Sequence, residues 1–188
     1  MSQDTITLII TVMLAFSGYL VTYLNNIRLS QRAERLERVN RQLGELYGPL
    51  LALSQASDRA WQAFRRKYRP GRTYFGEGTP PNDEELKVWR LWMNTVFMPN
   101  NLRMYELLLS KSDLLIESEM PKCLLDFCAH VTAYQTVLRK WENNDFSEHT
   151  SLIDYPTQEL IEYIRKSYVA LKAEQGKLIG KKEVSGHV

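Results

Sequence analysis

Histidine and cysteine, from which many catalytic and metal sites are assembled, are scarce here: three and two in 188 residues. The cysteines, Cys123 and Cys128, are spaced C-x4-C, which is neither the C-x2-C of a metal or redox pair nor a disulfide framework. There is no glycine-rich phosphate loop, no H-E-x-x-H and no nucleophile elbow, so the sequence offers no motif for phosphate-loop, zincin or α/β-hydrolase chemistry. No sign of charge dominates. Lys and Arg number 24 against 22 Asp and Glu, a net +2, and bulk charge makes no case for nucleic acid. With 44% hydrophobic and 24% charged residues, disorder is excluded as a description of the whole chain. The length suits one domain of about 150 residues with one appended segment. No metal or cofactor is expected.

What is present is one long uncharged run. Ile6 to Leu24, ITLIITVMLAFSGYLVTYL, holds nineteen residues without a charge. At 1.5 Å per residue it spans about 28 Å, close to the ~30 Å hydrocarbon core of a bilayer. The preceding MSQDT has no Lys or Arg and no small-x-small cleavage site follows, so the pattern predicts a transmembrane anchor and not a cleaved signal peptide. Arg28, Arg32, Arg35, Arg38 and Arg41 follow the run within seventeen residues. The positive-inside bias therefore predicts a single pass through the inner (cytoplasmic) membrane, N-terminus outside and C-terminal bulk in the cytoplasm. A reducing cytosol also suits two unpaired cysteines. Thr7, Thr11, Ala15, Gly18 and Thr22 make a small-residue stripe along the anchor, the pattern of close helix packing in lipid.

Beyond the membrane, Leu29, Leu36, Leu43, Leu50 and Phe64 share one heptad position, with Ser57 the single lapse, and Val39, Leu46, Leu53 and Ala60 lie three residues on. This repeat predicts coiled-coil or bundle packing, against a second chain or against its own domain. Together with the small-residue stripe it marks Thr11, Gly18, Leu29, Leu36 and Leu43 as a candidate oligomer interface. Gly48-Pro49 predicts a kink, because proline cannot donate to the helical ladder. Arg65, Arg66, Lys67, Arg69 and Arg72 then form a basic patch interleaved with Trp61, Phe64, Tyr68, Tyr74 and Phe75. Such a mixture suits single-stranded nucleic acid or lipid headgroups, or simply complements the helix dipole before the loop RPGRTYFGEGTPPN.

The remainder reads as helices. A capping box from Asn82 to Glu85 opens one that Pro99 is expected to stop; others run from near Asn100, from Pro121 to about Asn143, and from Pro156 to about Leu178. The fold expected is all-α: a transmembrane anchor (1–27), a long kinked juxtamembrane helix (28–68), a cytosolic helical bundle (69–180) and a flexible tail (181–188). Chemistry has few places to reside. His187 lies in the tail, and His130, near Phe127 and Tyr134, reads as a hydrogen-bonded core residue. The segment NDFSEHTSLIDYP, from Asn143 to Pro156, concentrates polar side chains between two helices, and Asp145, Glu148 and His149 make it a candidate partner-binding loop. The competing reading is a structured loop whose short side chains bond the backbone.

The strings LYGPL, FRRKYRPG and NDFSEHTSLIDYP are similar to those of uncharacterised bacterial single-pass proteins, over most of the chain. In architecture the chain resembles the membrane-pore accessory proteins of type VI CRISPR systems, which join an N-terminal transmembrane helix to a cytosolic helical domain related to the HEPN fold and assemble into rings. That resemblance implies a membrane-acting, pore-like component of bacterial antiviral defence. HEPN ribonucleases carry R-x4-6-H, whereas Arg139 and His149 are separated by nine residues and no His follows Arg103 at that spacing. No catalytic residue carries over. The expectation is a non-enzymatic membrane protein whose helical domain mediates homo-oligomerisation or binds a protein partner. A tethered HEPN-like ribonuclease and a monomeric adaptor are the alternatives.

Overall fold

The computed structural model describes residues 3–75 and 78–180, with backbone alone at 5–7. The Thr7 side chain, His187 and the expected tail 181–188 lie outside the described residues. Among those described there is no strand, and the all-α expectation holds. Helix α1 spans Gln3–Arg41 and passes through a π turn, Gln42–Tyr47, into α2, Gly48–Tyr68. Then follow α3 (Asp83–Trp92), a second π turn (Met93–Phe97), α4 (Met98–Ser110), a 3-10 turn (Ser112–Leu114), α5 (Lys122–Glu142) and α6 (Thr157–Leu178). The chain divides into two compact units, one comprising 3–40 with 174–180, the other 41–173.

In the first unit, the apolar part of α1 is long and apolar enough to cross a membrane, and none of it is buried within the chain. Leu14, Phe16, Tyr19 and Val21 are each more than half exposed. A core helix of a soluble protein would be covered. Two of its hydroxyls are satisfied inside the helix: Ser17 Oγ donates to the Met13 carbonyl at 2.7 Å and Thr22 Oγ1 to that of Gly18 at 2.9 Å. Such back-bonding removes the cost of carrying a hydroxyl into hydrocarbon. Further along, Arg32 Nε donates to the Leu178 carbonyl at 2.8 Å and Arg35 pairs with Glu174, so α1 cations meet the C-terminal turn of α6 where its free carbonyls gather.

The second unit contains the core. Tyr47, Phe64, Phe127, Leu46, Leu50 and Met98 are among its fully buried side chains. The seam expected to meet a partner chain is covered by this unit itself from Leu43 onward: Leu43 is 8% exposed and Leu46, Leu50 and Phe64 are sealed. For Leu43 this corrects the interface assignment, since its own chain supplies the cover. Leu36 is half-buried and Leu29 stays exposed, while nothing lies within 4 Å of where a Gly18 side chain would stand.

Both π turns have the same cause. Pro49 and Pro99 cannot donate, and each lies just after a widened turn in which the Gly48 N–H reaches the Leu43 carbonyl and the Met98 N–H reaches that of Met93. Lengthening the bond from four residues to five makes room for the ring without ending the helix. The expected stop at Pro99 is therefore corrected: α3 runs through the turn into α4. At Gly48 the fit leaves no space, because a Cβ there would stand 2.5 Å from the Leu43 carbonyl oxygen. The capping box is present as expected, with Asn82 and Glu85 each accepting from the other's backbone at 2.9 and 2.8 Å.

Candidate functional site

The lapse in the seam at Ser57 is where the core opens. Ser54, Ser57, Asp58 and Trp61 on α2 face a cavity of about 260 Å³ within the second unit. Across it stand Trp89 of α3, Phe97 of the second π turn, Asn101 of α4, and His130 and Tyr134 of α5, with Tyr155 from the chain before α6. The aromatic wall is stiff because its rings are packed on one another: Trp61 meets Trp89 edge-on at 5.9 Å and Phe97 at 5.9 Å. Phe64, sealed behind, stacks against Trp61 at 5.8 Å.

The segment from Asn143 to Pro156 forms one side of this cavity through Thr150, Ser151, Ile153, Asp154 and Tyr155. Its path is fixed by side chains gripping its backbone. Trp89 Nε1 and Tyr134 Oη both donate to the His149 carbonyl, at 2.9 and 2.7 Å, and Trp141 Nε1 donates to the Glu148 carbonyl at 2.8 Å. His130 Nδ1 lies 2.6 Å from the Ile153 carbonyl. A carbonyl only accepts, so the proton sits on Nδ1 and Nε2 keeps a bare lone pair. Burial holds this ring below its ordinary pKa, which keeps it neutral. Nε2 has no partner among the described residues, and His130 lines the cavity.

Other polar groups converge there. Asn101 is 5% exposed and its amide meets only the Met98 sulfur, at 4.0 Å. Ser57 Oγ is buried without a hydrogen-bond partner. Burial, and then the Asp58 carboxylate, push the Tyr155 phenol far above its usual range, so it is a protonated donor.

Apart from the apolar seam, the residues expected in a site fall into two groups. Asp145 caps its own turn, accepting from the Ser147 N–H at 3.0 Å, and Glu148 pairs with Lys140 at 2.7 Å. His149 Nδ1 is buried without a partner, and burial lowers that ring's pKa, as does Arg90. The three share one loop, and none of them lines the cavity. The basic patch is not a uniform surface. Arg69 is corrected outright: it is 3% exposed, pairs with Glu85 at 3.1 Å and lies over the Tyr74 ring. Arg65 donates to the Arg72 carbonyl at 3.1 Å and rests on the Trp61 ring, while Arg66, Lys67 and Arg72 are exposed. The cavity residues Trp61, Asp58, Asn101 and Tyr155 escape a sequence reading, for which Ser57 in an apolar seam is the one signal.

Among the described residues no group of three His, Cys, Asp or Glu side chains could hold a metal ion. Comparison with protein-family models, curated proteins and solved structures finds no match to this chain.

Proposed function

We propose that this chain is a single-pass inner-membrane protein that holds its helical unit in the cytoplasm as a binding module, without chemistry of its own. The observation that supports it most directly is the uncovered apolar stretch of α1, in which Ser17 and Thr22 bond their hydroxyls to the helix backbone and whose exposed side chains suit a lipid surrounding. The five arginines after it, against none before it, support that orientation. For the module, the support is a cavity with a packed aromatic wall and a few convergent polar groups, the usual make-up of a binding site. Binding is favoured over catalysis because His130 is tied through Nδ1 to a backbone carbonyl, with no carboxylate or nucleophile hydrogen-bonded to its ring among the described residues. The test is a cytoplasm-dependent reporter fused after Val188, combined with extraction of membranes at alkaline pH. An active reporter on a protein that resists extraction is expected; a protein released into the soluble fraction would overturn the reading.

A further inference from the structure

The charge of the cavity lining is one-sided. Asp58 and Asp154 are both part of it, and no Lys or Arg is. Neither carboxylate has a cationic partner among the described residues; Asp58 accepts only from the Gln62 amide, at 2.9 Å. Both stand close enough to the polar groups of the cavity to be felt there, Asp58 at the Tyr155 phenol and Asp154 at the His130 ring. Six aromatic residues, Trp61, Phe75, Trp89, Phe97, Tyr134 and Tyr155, share the lining with hydroxyl and aliphatic side chains, and the faces of Trp, Tyr and Phe rings carry the negative lobes of their quadrupoles. A desolvated cation between such faces is attracted by all of them at once. An anion would meet two carboxylates and no cation in the lining, since Arg65, which lies over the Trp61 ring, is not part of it.

We propose, resting on the binding-module reading above, that this cavity takes a small organic cation: an ammonium group dressed in apolar substituents, its charge set among Trp61, Trp89 and Tyr155 and balanced by Asp58 and Asp154. His130 Nε2 and Asn101 then receive a hydroxyl or N–H on the same molecule, since the one is a lone pair without a donor and the other an amide without an oxygen or nitrogen partner. The volume of about 260 Å³ accommodates a molecule of several heavy atoms and no polymer.

The test uses the full chain in a non-ionic detergent, with tryptophan fluorescence as the readout because Trp61 and Trp89 line the cavity. The probes are choline and 3,3-dimethyl-1-butanol, the same shape with carbon in place of the charged nitrogen. Saturable quenching by choline is expected, with the neutral isostere weaker by about tenfold. Asp58→Asn combined with Asp154→Asn should reduce that preference while melting temperature and helicity stay the same. Equal binding of the two probes by the unaltered protein would overturn the cation assignment and leave a binding module for neutral ligands. No saturable response to either probe would overturn it as well, whereas the membrane half of the reading stands or falls on the reporter and the extraction.

Discussion

Arg69 donates through Nη1 to Glu85 Oε2 at 3.1 Å from a position where 3% of the arginine meets solvent. The same Glu85 oxygen accepts from the Asn82 N–H at 2.8 Å. One carboxylate therefore closes the capping box of α3 and neutralises the buried guanidinium that ends α2. Tyr74 joins the group by donating to the Glu85 carbonyl, and burial, with the Glu85 charge, pushes its pKa up to about 12. Glu85→Ala strips the arginine of its counter-charge and α3 of its cap together. A loss of about 3 kcal/mol is expected, the range for breaking a buried pair from one side. Urea unfolding followed by circular dichroism measures it, and an unchanged midpoint would mean that water replaces the carboxylate without cost.

The first π turn makes opposite predictions for its two neighbouring glycines. Gly48→Ala places a methyl 2.5 Å from the Leu43 carbonyl oxygen, and the turn must shift; overpacking of this kind costs about 1–3 kcal/mol. Gly44→Ala meets nothing within 4 Å and should raise stability by roughly 0.5–1 kcal/mol through the entropy of the unfolded chain. Thermal melts of the two variants side by side decide it. Equal effects would remove the special role given to the widened turn.

Along the apolar seam, burial changes between two leucines fourteen residues apart. Leu43→Asp puts a charge where the side chain is 8% exposed and should unfold the second unit, whereas Leu29→Asp, at a position 55% exposed, should leave it folded. Near-ultraviolet dichroism of the tryptophans, all of which lie in the second unit, reports the difference. A folded Leu43→Asp protein that has lost an oligomer would restore the seam to a partner chain.

Acid should weaken the fold through its histidines. Burial lowers the pKa of both His130 and His149 below the ordinary value near 6.5. The unfolded chain then binds more protons than the folded one between the depressed values and about 6.5, so stability rises with pH across that window. It is fully present above the unfolded pKa and is lost as pH falls toward the folded ones. His130→Gln should flatten the slope of the urea midpoint against pH without abolishing it, because His149 contributes with the same sign. A slope unaltered by His130→Gln would place the proton uptake elsewhere.

Features that depend only on neighbouring residues are legible in the sequence. The uncharged stretch of α1, the reciprocal Asn82 and Glu85 cap, and the start of α5 after Pro121 each rest on a few adjacent side chains. Pro99 misleads because a proline ends a helix only where the preceding turn cannot widen, and that depends on packing around Met93 and Phe97. Arg69 misleads because its neutralising carboxylate is sixteen residues away and reached only after the loop folds back. The cavity draws on residues from Ser54 to Ile161, so no window of sequence contains it. Ser57, polar in a row of leucines, marks the place without naming the other walls.

The hold on the loop between α5 and α6 has a consequence for how such a surface changes over generations. Trp89, Tyr134, Trp141 and His130 grip carbonyl oxygens of Glu148, His149 and Ile153, atoms that every amino acid possesses. Replacement of the outward side chains, Leu152 at 95% exposure foremost, leaves those bonds untouched. The outward face of the loop is thus free to diversify while the path of its chain is held.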